Sequence, residues 1–188
     1  MSLILASKSP RRKEILQMVT NDFIVRASDC DESYDEKIDL SFVPKLLAEK
    51  KAKAVKINND EVVIGCDTVV LYGKNLLGKP KTDTEAIKML KMLSGTTHLV
   101  ISGICVTDGN KTISDSVITY VTFRELEDCE IENYVNKCHP TDKAGAYGIQ
   151  ESAGAFVTKI EGDFYNVVGL PLCRLCEILK KEFNLNLL

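Results

Sequence analysis

Short apolar runs alternate with amphipathic stretches along the whole chain, and each change of period marks a predicted element. Leu3-Ile4-Leu5-Ala6 predicts a buried strand running straight into a helix over 10–19. Ser9 suits the N-cap of that helix, and Pro10 its first position, where a missing N–H costs nothing. A polar, acidic segment follows, Ser28-Asp29-Cys30-Asp31-Glu32-Ser33-Tyr34-Asp35-Glu36, and then a second helix over about 41–57 with Val43, Leu47, Ala54 and Val55 as its apolar positions. Val62-Val63-Ile64-Gly65-Cys66 reads as a buried strand ending at Asp67-Thr68, with Val69-Val70-Leu71 continuing it and Gly73-Lys74-Asn75 as a turn. Thr82 and Glu85 form a capping box that opens a helix through Ile87, Met89, Leu90 and Leu93, stopped by Ser94-Gly95.

In the second half, β-rich stretches at 97–107 and 111–123 flank Asp108-Gly109-Asn110, a strong hairpin signal. Glu127-Asp128 starts a helix that ends at His139-Pro140. A glycine-rich loop, a strand near 155–160, a turn at Glu161-Gly162-Asp163, a strand near 164–168 and a helix after Pro171 complete the pattern. No linker, repeat or low-complexity tract interrupts it, so the expectation is an α/β protein, a single domain over 1–188 with a mixed β-sheet flanked by helices.

Composition narrows the function classes. The 188 residues are 45% hydrophobic and 27% charged, ordinary for a globular chain with room for a core. A net charge of −3 carries no basic field for nucleic acid or an anionic membrane, so any phosphate site must be a local cluster. No apolar run approaches the roughly 20 residues of a membrane span, and the N-terminus does not read as a signal peptide. The seven cysteines are odd in number and irregularly spread. Only Cys173 and Cys176 are close, and they fall within the apolar pattern of Leu172, Leu175 and Leu179 rather than in a zinc set. Free thiols suit a cytoplasmic location.

Several residues carry chemistry. The free N–H groups at the start of the first helix attract anions, and Arg11 and Arg12 add guanidinium forks that match phosphate oxygens. The alternative is a capped surface helix with its basic residues in water. Asp67, at the end of an apolar strand, is placed where α/β sheets gather ligands, though an Asp there can also cap a turn. The segment with Asp31 and Glu32 offers a second carboxylate, unless it is simply a solvated loop. Lys51 lies four residues after Leu47 and four before Val55, on the apolar face, whereas Lys45, Lys53 and Lys56 have easier routes to solvent. An inward lysine either snorkels or meets an anion. Lys79, between Gly78 and Pro80, is a further candidate cation or a plain turn residue. In Lys143-Ala144-Gly145-Ala146-Tyr147-Gly148-Ile149-Gln150, the small residues let backbone approach a ligand, and the Gln150 amide can both donate to and accept from a base edge. Neither His98 nor His139 has a nucleophile or metal-ligand partner at a useful spacing.

Together, Ser7-Lys8-Ser9-Pro10-Arg11-Arg12, Gly65-Cys66-Asp67-Thr68, Gly78-Lys79-Pro80, Leu93-Ser94-Gly95 with His98, Thr122-Phe123-Arg124, the 143–150 loop and Asn166-Val167-Val168-Gly169-Leu170-Pro171-Leu172 resemble the Maf family, in the family's order and over nearly the whole chain. The resemblance implies a nucleoside triphosphate pyrophosphatase that cleaves between the α- and β-phosphates with a divalent cation such as Mg2+, Mn2+ or Co2+. The form of the 143–150 loop is similar to the branch acting on dTTP and UTP. Carried over by position, Asp67 matches the proton acceptor, and Arg11, Thr68 and Gln150 the specificity positions. Glu32, Lys51 and Lys79 match a further acidic residue and two lysines of the pocket. Ser7, Ser9, Arg11, Arg12, Lys51 and Lys79 then make up the phosphate-binding set, and Glu32 and Asp67 the metal-holding one. Glu151-Ser152-Ala153 departs from the glycine-rich sequence usual after the loop, which bears on fine base preference.

The resemblance also implies an elongated fold of two lobes about a central cleft, similar to inosine triphosphate pyrophosphatases, and a homodimer. A second class of function, a nucleotide-binding regulator of cell division and septum formation with little turnover, is set against the enzyme. The carboxylates discriminate, since a pure anion binder gains nothing from Asp67 and Glu32 among four cations unless a metal is bound.

Overall fold

The structure is a computed structural model that describes residues 2–27, 29–55, 57–58 and 60–188. Ser28, at the head of the acidic segment, and Lys56, among the lysines read as solvent-facing, lie outside the described residues. The chain is a mixed α/β protein. Its strands are β1 (Ser2–Leu5), β2 (Phe23–Val25), β3 (Glu61–Tyr72), β4 (Asn75–Leu77), β5 (Thr97–Thr107), β6 (Thr112–Phe123) and β7 (Val157–Glu161). Its helices are α1 (Pro10–Gln17), α2 (Val43–Lys53), α3 (Asp83–Leu93), α4 (Asp128–Cys138), α5 (Phe164–Val168) and α6 (Leu172–Phe183). The seven strands form one sheet in the order β2-β1-β3-β5-β6-β7, with β4 paired to β3 off that path. β1 lies parallel to both β2 and β3, whereas β3–β4 and β6–β7 are antiparallel, so the sheet is mixed.

Two compact units divide the chain: Met1–Thr68, Ser102–Val117 and Gly169–Leu188 form the first, and Val69–Ile101 with Ile118–Val168 the second. In the first, Ile4, Ala6, Ala48, Ala52, Val55, Val63 and Cys105 form an apolar cluster between strands and α2. Small residues dominate it because α2 lies very close to the sheet. A Cβ on Gly65 would overlap the Ala48 carbonyl oxygen and sit 2.8 Å from Ala52 N, and one on Gly103 would overlap the Pro44 carbonyl. Two glycines in strands therefore let a helix backbone rest directly on the sheet. In the second unit, α3 and α4 cover a larger core that includes Leu90, Leu93, Phe123, Ile131, Tyr134, Tyr147 and Phe156.

Local signals account for most boundaries. Thr82 caps α3 by accepting from Glu85 N at 3.1 Å. Glu127 and Glu130 form a reciprocal capping box on α4, which ends at His139 in a left-handed conformation. Three expectations need correction. The apolar run 164–168 is helix α5 rather than a strand: Asp163 accepts from Tyr165 N at 2.8 Å, and Asn166 is turned inward to donate to the Val100 carbonyl and Thr119. Asp67 is not at the end of a strand but inside β3, which runs on through the expected continuation Val69-Val70-Leu71 to Tyr72. Ser9 occupies the N-cap of α1 with Pro10 at the first turn, yet its side chain makes no capping bond; its own N–H donates to Ser7 Oγ at 3.2 Å.

Candidate active site

A cluster of charged and polar side chains lies in the first unit, where the end of β1, the start of α1, α2 and β3 meet. Asp67 points inward from β3 and is 8% exposed. Lys51, on the turn of α2 between the Ala48 and Ala52 contacts of Gly65, places its ammonium 2.5 Å from Asp67 Oδ1 and 3.1 Å from Glu32 Oε1. Burial alone would lower the Lys51 pKa. The two carboxylates, Asp67 foremost, outweigh burial and repulsion from Arg12, and the net shift is upward. Lys51 is thus a fixed cation at neutral pH. It is the inward lysine expected from its spacing, and the anions it meets are carboxylates of the protein itself.

Beside it, the Arg12 guanidinium donates to the Gly169 carbonyl at 2.9 Å, to Ser7 Oγ at 3.3 Å and to Thr68 Oγ1 at 3.2 Å. Three of the five guanidinium donors are engaged this way, so Arg12 braces the β1–α1 junction against β3 while its charge stays in the site. The Thr68 hydroxyl also lies 2.8 Å from Ser102 Oγ. Arg11 is half-buried on the first turn of α1, two residues after Ser9. Ser7, Ser9, Arg11, Arg12, Glu32, Lys51, Asp67 and Thr68 therefore all belong to one unit.

The acidic segment before α2 is tied down rather than simply solvated. Lys8 pairs with Asp29 at 2.8 Å, and Lys50 Nζ donates to the carbonyls of Asp31 at 3.3 Å and Ser33 at 2.5 Å. With Lys51 on Glu32, three lysines hold this loop. Lys50 was not among the candidates, although its position beside Lys51, at the end of α2 and facing an acidic run, was a usable signal.

Among the described residues, no three His, Cys, Asp or Glu side chains gather to hold a metal ion. Two hard oxygen donors within reach of one ammonium nevertheless fit a cation of the Mg2+ type. Such an ion takes one or two carboxylates from a protein and its remaining ligands from water and phosphate.

Lys79 and Gln150 belong to the second unit. Lys79 is exposed between Gly78 and Pro80, and the Gly78 carbonyl accepts from Gly145 N at 3.1 Å, which joins this turn to the 143–150 loop. Gln150 is exposed at the third position of a turn closed by Glu151 N and the Gly148 carbonyl at 3.0 Å. Two supports of this loop were missed. His98 Nε2 lies 2.8 Å from the Tyr147 hydroxyl. Lys143, itself buried, pairs with Asp142 at 2.8 Å and Glu151 at 3.4 Å. The Glu151 that departs from the glycine-rich pattern thus has a defined partner.

A family model described as Maf-like protein matches residues 2–182. The dTTP/UTP pyrophosphatase of Alkaliphilus metalliredigens is 49% identical over 190 residues, covering 99% of this chain and 98% of its own length. The enzymes of the same name from Clostridium novyi and Bacillus cereus are 48% and 45% identical, each covering 95% of this chain and 96% and 94% of their own lengths. Among solved structures, the Staphylococcus aureus Ham1 protein matches with a TM-score of 0.45 at 17% identity, over 65% of this chain and 72% of that one. No helix among the described residues is long and apolar enough to cross a membrane.

Proposed function

Because this chain belongs to the Maf family, we propose that it is a nucleoside triphosphate pyrophosphatase that hydrolyses the α–β phosphoanhydride of dTTP and UTP to the monophosphate and pyrophosphate. The observation that carries this reading is the buried Asp67 carboxylate held by Lys51 beside Glu32, in a unit that also presents Arg11 and Arg12. Phosphoanhydride hydrolysis asks mainly for charge neutralisation and an oriented water.

Asp67 takes the proton of the attacking water as its oxygen bonds to the α-phosphorus. The bond to the bridging oxygen breaks, and its electron pair leaves with pyrophosphate. Lys51 fixes the Asp67 carboxylate and keeps it aimed, while Glu32 holds the ammonium from its other side. Ser7, Ser9, Arg11 and the remaining donors of Arg12 contact phosphate oxygens. Lys79 is assigned to phosphate, and Thr68 and Gln150 to specificity, on the family resemblance; the Gln150 amide matches the donor–acceptor edge shared by uracil and thymine. Asp67 and Glu32 would hold a divalent cation, which when bound offsets the charge of the triphosphate. A cytoplasmic homodimer acting on free nucleotides completes the proposal.

Incubating the purified protein with a panel of triphosphates and Mg2+ or Mn2+ tests it. The expected first products are pyrophosphate and the monophosphate, with dTTP and UTP favoured over ATP and GTP and activity lost in EDTA. Orthophosphate as the first product, or full activity in EDTA, would overturn the reaction. A purine preference would overturn the base assignment alone.

A further inference from the structure

We propose that His98 is a positioning residue for base recognition: its bond to the Tyr147 hydroxyl fixes the 143–150 loop and so aims Gln150. The proposal rests on the reading that Gln150 contacts the base. His98 is 1% exposed and Tyr147 6%, with His98 Nε2 2.8 Å from the hydroxyl. Phe123 completes a triangle of edge-on rings, its centroid 4.9 Å from each of the other two.

Three observations set this contact apart from ordinary core packing. First, His98 Nδ1 has no hydrogen-bond partner among the described residues. An apolar ring would fill the same space without leaving a polar atom unsatisfied, so the imidazole is accounted for by what its other nitrogen does. Burial also holds the ring neutral, its pKa pushed down to about 4, which makes it a constant partner across the working pH range. Second, the backbone just before Tyr147 is strained. Gly145 and Ala146 both have positive φ, 67° and 64°, and Ala146 is not a glycine. Such a conformation persists only where its surroundings hold it. Third, the loop's other contacts hold its ends: the Gly78 carbonyl accepts from Gly145 N near its start, and Lys143 pairs with Glu151 across its ends. The hydroxyl of Tyr147 anchors the middle, three residues before Gln150, with Ile149 buried between them.

The test compares Tyr147→Phe, His98→Phe, His98→Gln and Gln150→Ala by kcat and KM for dTTP, UTP and ATP, alongside thermal melting. Tyr147→Phe removes one oxygen and keeps the ring, so it decides the matter if His98→Phe fails to fold. Tyr147→Phe and His98→Phe are each expected to raise KM for dTTP and UTP about tenfold, the scale of one lost hydrogen bond, with kcat little changed and the preference over ATP reduced. Their double variant should be no worse than either alone, because both remove the same contact. His98→Gln, which can still bond the hydroxyl, should recover part of the preference. If Gln150→Ala shifts the base ranking while Tyr147→Phe and His98→Phe change only the melting temperature, the positioning role falls and the base reading stands. If Gln150→Ala leaves the ranking untouched, the base reading falls and this proposal with it.

Discussion

Asp67 is buried against Lys51, and this contact decides what its replacement does. Asp67→Asn keeps the volume and leaves Glu32 to balance the ammonium, so the fold should survive. It removes the charge that accepts the water's proton, and turnover of dTTP should fall by about 10²-fold or more, the scale of a lost general base. Pyrophosphate release measured beside a thermal melt checks both halves, and near wild-type turnover would return Asp67 to a purely structural role. At this scale the sequence was partly legible. Four-residue spacing from Leu47 and to Val55 turned Lys51 inward, but spacing names a face and not a partner, so the anion it meets was open. Arg12 read as a phosphate fork because adjacent arginines at a helix start look alike in sequence. Its partner Gly169 lies 157 residues away, and no local pattern encodes that contact.

Elements came through where their signals were local and were missed where tertiary contacts decided. The caps of α3 and α4 and the turn between β5 and β6 depend on residues within a few positions of one another, and all were readable. The run Phe164–Val168 is short and β-prone, and its helix follows from the Asp163 cap and from buried Asn166, whose bonds to Val100 and Thr119 lie far along the chain. The three-residue strand β2 is too short to show a period. The least legible feature is also the most consequential for the site: Gly65 lets α2 touch β3 and thereby brings Lys51 onto Asp67. Gly65→Ala would push a methyl into the Ala48 carbonyl and against the Ala52 backbone and Cβ, none of which can swing aside. Overpacking of this kind costs about 1–3 kcal/mol. A shifted α2 should also lower kcat, because Lys51 moves with it. Denaturant melts and dTTP turnover check this, and a variant with unchanged stability would refute the close approach.

Across the whole molecule, the chain passes between its two units within β3, β5 and β6 and once more at the end of α5, so three of the four crossings lie inside strands and the sequence read as one uninterrupted α/β pattern. Stability against acid is divided between the units. In the first, Arg26 holds both oxygens of Glu61 at 2.8 Å and, with Asn58, brings its pKa down to about 2. That contribution is present above the ordinary glutamate pKa and lost as pH falls toward 2. In the second, His98 acts earlier. Its pKa is about 4 in the folded protein, against about 6.5 for an unfolded histidine. Between these values the unfolded chain binds the proton and the folded one does not, so stability declines as pH falls from 6.5 to 4. The shift corresponds to about 3 kcal/mol. His98→Gln removes the titrating group, and its own stability should therefore fall less over that range. Urea melts of both proteins at pH 7 and pH 4 should show the wild-type advantage shrinking by about 3 kcal/mol on acidification. An advantage unchanged between the two pH values would mean that His98 is not held neutral in the core.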